Sequence, residues 1–260
     1  MSLVSPALNL LLLILLFFAN FHLVRYRKRV HHNKDIYRGA PIPSVHLADF
    51  DDLFKLDNNG IALSAEVAFI GQGEGALGVT SDAEAWILSV LAKKSATMFE
   101  FGTASGRTTY LWAKNSPSNA RIITLTLHPD QHELYELDPR DNSDGSASAL
   151  RESAFTTFVY SGTSVESKIT QLYGDSKHFD ESPYAGRCDL IFIDGSHAYS
   201  YVKSDTEKAF RMLKDGGTIF WHDYRKDLAH TTGVYDFLNE QHKRTPLVRL
   251  PGTSLVALRR

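Results

Sequence analysis

From residue 97 to the C-terminus, short apolar runs alternate with stretches whose apolar residues recur every three or four positions. The runs at 97–101, 121–127, 169–173, 190–193 and 218–221 have the length and the bounding residues of buried strands. Between the last two, Val202, Ala209, Phe210 and Leu213 repeat at helical spacing, and Asp215-Gly216-Gly217 reads as the stop of that helix. Two more helices are predicted at 108–114 and near 234–241. Upstream, Ser81 and Glu84 form a capping box for a helix that would bury Ala85, Leu88, Leu91 and Ala92. Strands alternating with helices predict parallel βαβ units and hence an α/β sheet. The runs 247–250 and 255–258, joined through Pro251-Gly252, predict a terminal hairpin.

The N-terminal pattern is different. Residues 7–24 are apolar apart from Asn9, Asn20 and His22, and as a helix they would span about 27 Å, close to the hydrocarbon thickness of a bilayer. Arg25, Arg27, Lys28, Arg29 and Lys34 follow at once, and no charged side chain precedes the run. A cleaved signal carries its positive charge ahead of the apolar core, so an uncleaved single-pass anchor with a cytoplasmic catalytic part is expected; a cleaved targeting signal is the alternative. The expected organisation is a transmembrane anchor over 1–24, a basic linker over 25–60 broken by Pro41 and Pro43, and a catalytic domain over 61–260. His31 and His32 belong to the solvated flank. The glycines at 71, 73, 75 and 78 read as a mobile segment over a site or as a plain surface loop, and 138–149, rich in Asp, Ser, Asn and Gly, as a polar loop without fixed structure.

Composition narrows the function. Hydrophobic residues make up 43% of the 260, enough for one good-sized globular domain plus an appendage. A net charge of -2 gives no reason to expect nucleic acid as a partner. One cysteine, Cys188, excludes an internal disulfide and a cysteine-rich metal site, and its place at the start of a buried strand predicts an inert thiol.

Ligands of open parallel sheets gather at the strands' carboxyl ends. Asp194, His197, His222 and Asp223 all follow such ends. Asp194 and Asp223 should close neighbouring strands about 4.8 Å apart. Two carboxylates that close require a proton or a cation between them, and carboxylate oxygens suit Mg²⁺. His222 is a candidate third ligand. His197 is placed to take a proton near neutral pH, or simply to cap the next helix. Tyr199, Tyr201 and Tyr224 either line an acceptor pocket or pack in the core. Further upstream, Glu100-Phe-Gly-Thr-Ala-Ser-Gly106 joins a strand to a helix. Ala104 stands where a dinucleotide fingerprint needs its middle glycine, and Glu100 would repel a pyrophosphate, which disfavours a nicotinamide-dependent oxidoreductase.

These residues, with Tyr173-Gly-Asp-Ser176, Phe192-Ile-Asp-Gly-Ser-His197 and Asp215-Gly-Gly-Thr-Ile-Phe-Trp-His-Asp223, resemble in order and spacing the class I S-adenosylmethionine-dependent methyltransferases, over roughly residues 80–260. The resemblance is to their small-molecule branch. It implies a Rossmann-like, doubly wound seven-stranded sheet whose last strand is antiparallel, here preceded by the N-terminal helix. It implies S-adenosylmethionine as cofactor, held by Glu100, Gly102, Thr103, Gly106, Asp175, Ser176 and Asp194, with Glu100 orienting the methionine ammonium and Asp175 accepting from the adenine amine. It implies methyl transfer to an oxygen of a small molecule or glycan, with His197 and Asp194 catalytic. Divalent-metal-dependent relatives imply a Mg²⁺ site at Asp194, Asp223 and His222, though other relatives use no metal. One departure stands out. Thr126 occupies the place of the acid that holds the ribose hydroxyls, so either cofactor affinity is reduced by its weaker neutral hydrogen bond, or Asp130 substitutes, or the chain is a non-catalytic membrane-anchored scaffold that keeps the fold.

Overall fold

The computed structural model describes residue 37 and residues 39–73 and 80–260. The chain divides into two units, Met1–Ala40 and Pro41–Arg260, and the fold described here is that of the second. The expected anchor over 7–24, its basic flank and residues 74–79 of the glycine-rich stretch lie outside the described residues. Among the described residues no helix is long and apolar enough to cross a membrane.

Seven strands form one sheet: β1 Thr97–Phe101, β2 Arg121–Thr126, β3 Ile169–Tyr173, β4 Cys188–Ile193, β5 Leu213–Trp221, β6 Val248–Arg249 and β7 Val256–Arg259. Their order is β3-β2-β1-β4-β5-β7-β6. The first five run parallel, and β7 lies antiparallel to both β5 and β6. The expected seven-stranded sheet with an antiparallel last strand is therefore present. Six helices accompany it among the described residues: α1 Leu47–Phe50, α2 Asp82–Ala92, α3 Arg107–Asn115, α4 Ser143–Glu152, α5 Tyr199–Met212 and α6 Thr232–His242.

Alternation along the strands builds the two layers. Met98, Phe192 and Phe220 turn to one face, where they pack with Ile87, Leu88 and Leu91 of α2 and Trp112 of α3. Phe99 turns to the other and meets Phe101, Phe179 and Tyr184 at ring-centre distances of 4.7, 5.4 and 5.3 Å. On α5, the Thr206 hydroxyl accepts from the Trp221 indole N–H at 2.8 Å. Cys188 is buried, and burial pushes its thiol up to about 12, as an inert thiol requires. The capping box forms as read, with the Ser81 hydroxyl accepting from the Glu84 N–H and the Glu84 carboxylate from the Ser81 N–H.

Three expectations need correction. Residues 138–149 are not a structureless loop, because α4 starts at Ser143. Asn142 caps it, its Oδ1 accepting from the Gly145 N–H at 2.6 Å, and its amide donates to the Ala229 carbonyl at 3.2 Å. Small residues, Gly145, Ser146 and Ser148, make its buried face, so no apolar stripe announced it. The helix before β5 ends at Met212 rather than at the glycines: Leu213 already pairs with Cys188, and residues 214–217 bulge, with Gly216 at φ +77°. Finally, residues 41–60 were read as the end of a linker, but Ile42, Phe50 and Phe54 are buried. Asp51 receives Lys94 and Arg259, the latter at 2.5 Å, and the Pro43 carbonyl accepts from the Arg249 N–H at 2.7 Å.

Candidate functional site

The strand order reverses between β1 and β4, and there the chains leaving the two strands part to open a cavity. Gly102, Thr126, Asp175, Ser176 and Asp194, each just beyond or at a strand's carboxyl end, line it. Gly102 has to be glycine. Its φ is +93°, and a Cβ there would lie 2.1 Å from the Asp194 carbonyl oxygen. Hydrogen bonds from the Gly102 N–H to Leu125 and from the Asp194 N–H to Phe101, both 2.8 Å, hold the two strand exits in place.

Not all of the expected cofactor residues reach this cavity. Glu100 shares the face of Met98, so its carboxyl is turned into the α3 layer and is 2% exposed. There it accepts from the Thr109 hydroxyl and, at 2.7 Å, from the Thr124 hydroxyl. Burial pushes Glu100 up to about 8, against those two hydroxyls and with the charge of Asp194. Enclosed on that face and absent from the cavity lining, Glu100 is not placed to meet the cofactor's ammonium group directly, as the resemblance implied. Thr103 is likewise buried, its hydroxyl 2.7 Å from that of Thr124, and Gly106 caps α3 at φ +79°. Both shape the turn from below. Asp175 does line the cavity, with Oδ1 accepting from the Lys177 N–H at 2.9 Å and Oδ2 from the Tyr201 hydroxyl at 3.0 Å. Asp130 does not replace the missing ribose acid. Its side chain is 89% exposed and sits 3.6 Å from His128, while Thr126 keeps the lining position.

Beside the cavity, the ends of β4 and β5 gather five ionisable groups. His222 Nδ1 lies 2.8 Å from Asp194 Oδ1 and 3.3 Å from Asp223 Oδ2, and its Nε2 lies 3.2 Å from Glu84 Oε2. His197 Nε2 lies 3.0 Å from Asp223 Oδ2. Burial works against charge on His222, but Asp194, Asp223 and Glu84 hold its pKa well above the usual histidine value. Burial opposes ionisation of Asp223 too, and the two imidazoles hold it well below the usual carboxylate range. Asp194 moves the other way, raised by burial and by Asp223 against the pull of His222. His197 ends up raised, its burial outweighed by Asp223. Charge on His222 would offset part of the repulsion between the two carboxylates.

That placement also changes the candidate metal set. Both His222 ring nitrogens face carboxylates, which favours its charged form, although its Nδ1 also lacks a hydrogen bond of good geometry. One donor atom each from Asp194, His197 and Asp223 instead lie within 4.8 Å of one another. Among the described residues, neither His197 ring nitrogen has a hydrogen bond of good geometry despite the 3.0 Å approach of Asp223. Buried donors left in that state fit a divalent cation. Two carboxylates and an imidazole suit a transition ion that accepts nitrogen beside oxygen, Mn²⁺ among them, better than the expected Mg²⁺, which prefers oxygen alone.

Several residues here were not anticipated. Glu84 is more than a cap: its carboxylate also accepts from Ser254 N–H and hydroxyl at 2.7 and 2.8 Å and faces His222. Glu152, at the end of α4, lines the cavity and is raised by burial, with His197 pulling it down. Tyr135 and Tyr201 stack at 4.4 Å beside it. Of the three tyrosines weighed for an acceptor pocket, only Tyr201 lines the cavity. Tyr199 donates to Glu240 at 2.7 Å and Tyr224 to Asn239 at 2.6 Å. Tyr201 and Asp205 sit four apart on α5, a spacing that puts both on one helix face and was visible in the sequence.

Residues 99–224 match the model of a family described as a methyltransferase domain. No curated protein matches the chain. Among solved structures, the chain is similar to cofactor-bound Rv0187 from MTB at 19% identity, covering 75% of this chain and 84% of that one, with a TM-score of 0.47. It is similar to the Podospora anserina methyltransferase PaMTH1 bound to SAH at 18% identity, with 70% and 80% covered and a TM-score of 0.45. The O-methyltransferase TomG from Streptomyces achromogenes in complex with SAM is 14% identical, with 69% and 79% covered and a TM-score of 0.44. The match over 99–224 marks that stretch of the chain as a methyltransferase domain.

Proposed function

We propose that this protein transfers the methyl group of S-adenosylmethionine to an oxygen of a small molecule or glycan. The observation that carries the reading is the cluster of Asp194, His197 and Asp223 beside a cavity at the sheet's switch point. The cavity residues fit the cofactor: Gly102 gives it bare backbone, and Asp175 and Ser176 stand where its adenine end would lie. When bound, S-adenosylmethionine supplies an activated methyl, so the protein's share is alignment and proton removal. His197 holds the proton of the acceptor hydroxyl, and Asp223, 3.0 Å away, holds the imidazole. Asp194 and Glu152 keep the approach to the methyl polar.

A second reading is favoured by the unaligned ring nitrogens of His197. In it Asp194, His197 and Asp223 hold a divalent cation, which would supply Lewis acidity to an acceptor hydroxyl. The first reading is tested by methyl transfer to a panel of vicinal diols, phenols and glycans. His197→Ala should cut turnover by about 100-fold or more while S-adenosylhomocysteine still binds. Equal losses in both would reject His197 as the base.

We propose in addition that residues 7–24 anchor the chain in a membrane with the catalytic unit on the cytoplasmic side, on the strength of the apolar run and the basic residues after it. Alkaline carbonate extraction should leave the full chain in the membrane fraction; release into the soluble fraction would refute the anchor.

A further inference from the structure

We propose that Asp205 reads the adenine ring of the cofactor, its carboxyl group meeting the ring's N1 and exocyclic amine together. The proposal rests on the reading that the switch-point cavity takes S-adenosylmethionine. Asp205 lies one helical turn after Tyr201 on α5, and both side chains line that cavity on the side of Asp175 and Ser176. It is 1% exposed, and among the described residues neither of its carboxyl oxygens has a hydrogen bond of good geometry, although the Ser176 hydroxyl approaches it. A buried carboxyl left so is costly unless a ligand completes it.

Asp175 and Tyr135, at this end of the cavity, already have partners of good geometry. Asp175 accepts from the Lys177 N–H and the Tyr201 hydroxyl, and the Tyr135 hydroxyl lies 2.5 Å from the Ser196 hydroxyl. The acceptor role that the resemblance implies for Asp175 would therefore be shared with Asp205. The charged and polar groups facing Asp205 are Asp175 and Ser176 after β3, Lys177 beyond them and Lys208 on its own helix. Burial pushes Asp205 up to about 7, helped by Asp175 and opposed by Ser176, Lys208 and Lys177. Near neutral pH it can keep its proton.

That protonation state suits adenine. The ring offers an acceptor at N1 beside a donor at its exocyclic amine. A neutral carboxylic acid offers the complement, an O–H that donates to N1 and a carbonyl that accepts from the amine. An ionised carboxylate would set its lone pairs against N1. Hypoxanthine reverses the pattern, with a donor at N1 and an acceptor at O6, so the same acid should reject it.

The test is calorimetric titration of the full chain with S-adenosylhomocysteine and S-inosylhomocysteine at pH 6 and pH 8.5. Wild-type protein should bind the adenine compound at least about tenfold more tightly than the inosine one, and more tightly at pH 6 than at pH 8.5. Asp205→Ala should weaken S-adenosylhomocysteine at least about tenfold. Asp205→Asn, whose amide offers the same donor and acceptor at any pH, should bind it within about threefold of wild type at pH 6 and lose the pH dependence. An unchanged affinity in Asp205→Ala overturns the assignment, as does an Asp205→Asn protein as weak as Asp205→Ala. Equal binding of the two nucleosides by wild type overturns it without any variant having to fold. A wild-type protein that binds neither compound overturns the cofactor reading and this assignment with it, whereas binding of the adenine compound with no role for Asp205 leaves the cofactor reading intact.

Discussion

His197 Nε2 and Asp223 Oδ2 stand 3.0 Å apart although they follow different strands, and Asp223 makes the approach with its backbone in the left-handed region, at φ +57°. That conformation costs most side chains about 1–2 kcal/mol and is easiest for Asp and Asn. Asp223→Asn should therefore keep the backbone while removing the charge that holds His197. Turnover is expected to fall by about 100-fold or more with S-adenosylhomocysteine affinity within about threefold of wild type. Asp223→Ala should be less stable than Asp223→Asn by about 1 kcal/mol in denaturant unfolding. If the two variants match in both stability and turnover, the backbone account is wrong.

Chelation distinguishes the base from the cation. With His197 acting as a base held by Asp223, turnover should survive prolonged EDTA treatment. A drop of about tenfold or more, reversed by Mn²⁺ better than by Mg²⁺ and abolished in Asp194→Asn, would replace that account with a cation held by Asp194, His197 and Asp223.

Glu100 makes stability depend on pH. Its folded value of about 8 lies above the 4.5 of an ordinary glutamate, so the native state keeps a proton that the unfolded chain releases. Stability from this group is fully present below 4.5, falls as pH rises from 4.5 to 8 and is level beyond. Glu100→Gln, which cannot ionise, should raise the melting temperature at pH 8 relative to wild type by about 5 °C or more and change it much less at pH 4.5. Equal shifts at the two pH values would show that Glu100 is ionised in the folded protein.

The contact between the two strand exits can be tested at Gly102. A methyl group there meets the Asp194 carbonyl oxygen at 2.1 Å, and the φ of +93° adds strain. Gly102→Ala is expected to lose more than about 3 kcal/mol in denaturant unfolding, because β1 and β4 would have to part at the site itself. An unchanged midpoint would mean that the two exits are not held together.

The local code settled the strands, the capping box and the pairing of Asp194 with Asp223. Each of these depends on neighbours close in sequence or on the fixed spacing of parallel strands. The apolar runs at 97–101, 169–173 and 190–193 could be little else, and Ile193 paired with Trp221 brings the two acids to one edge. Even the inward turn of Glu100 was legible in principle, since it shares the parity of Met98. Which imidazole faces three carboxylates and which lies against Asp223 alone was not legible. That depends on the left-handed turn at Asp223 and on Glu84, which arrives from α2 and is 138 residues from His222. Helix α4 escaped notice because small polar residues form its buried face, packed where a Cβ on Gly145 would lie 3.3 Å from the His197 carbonyl carbon. Asp205 was hidden for a related reason. Whether a helical carboxylate meets water or the inside of a cavity is fixed by the packing of α5 against the sheet, and burial without a partner exists only once the layers have closed.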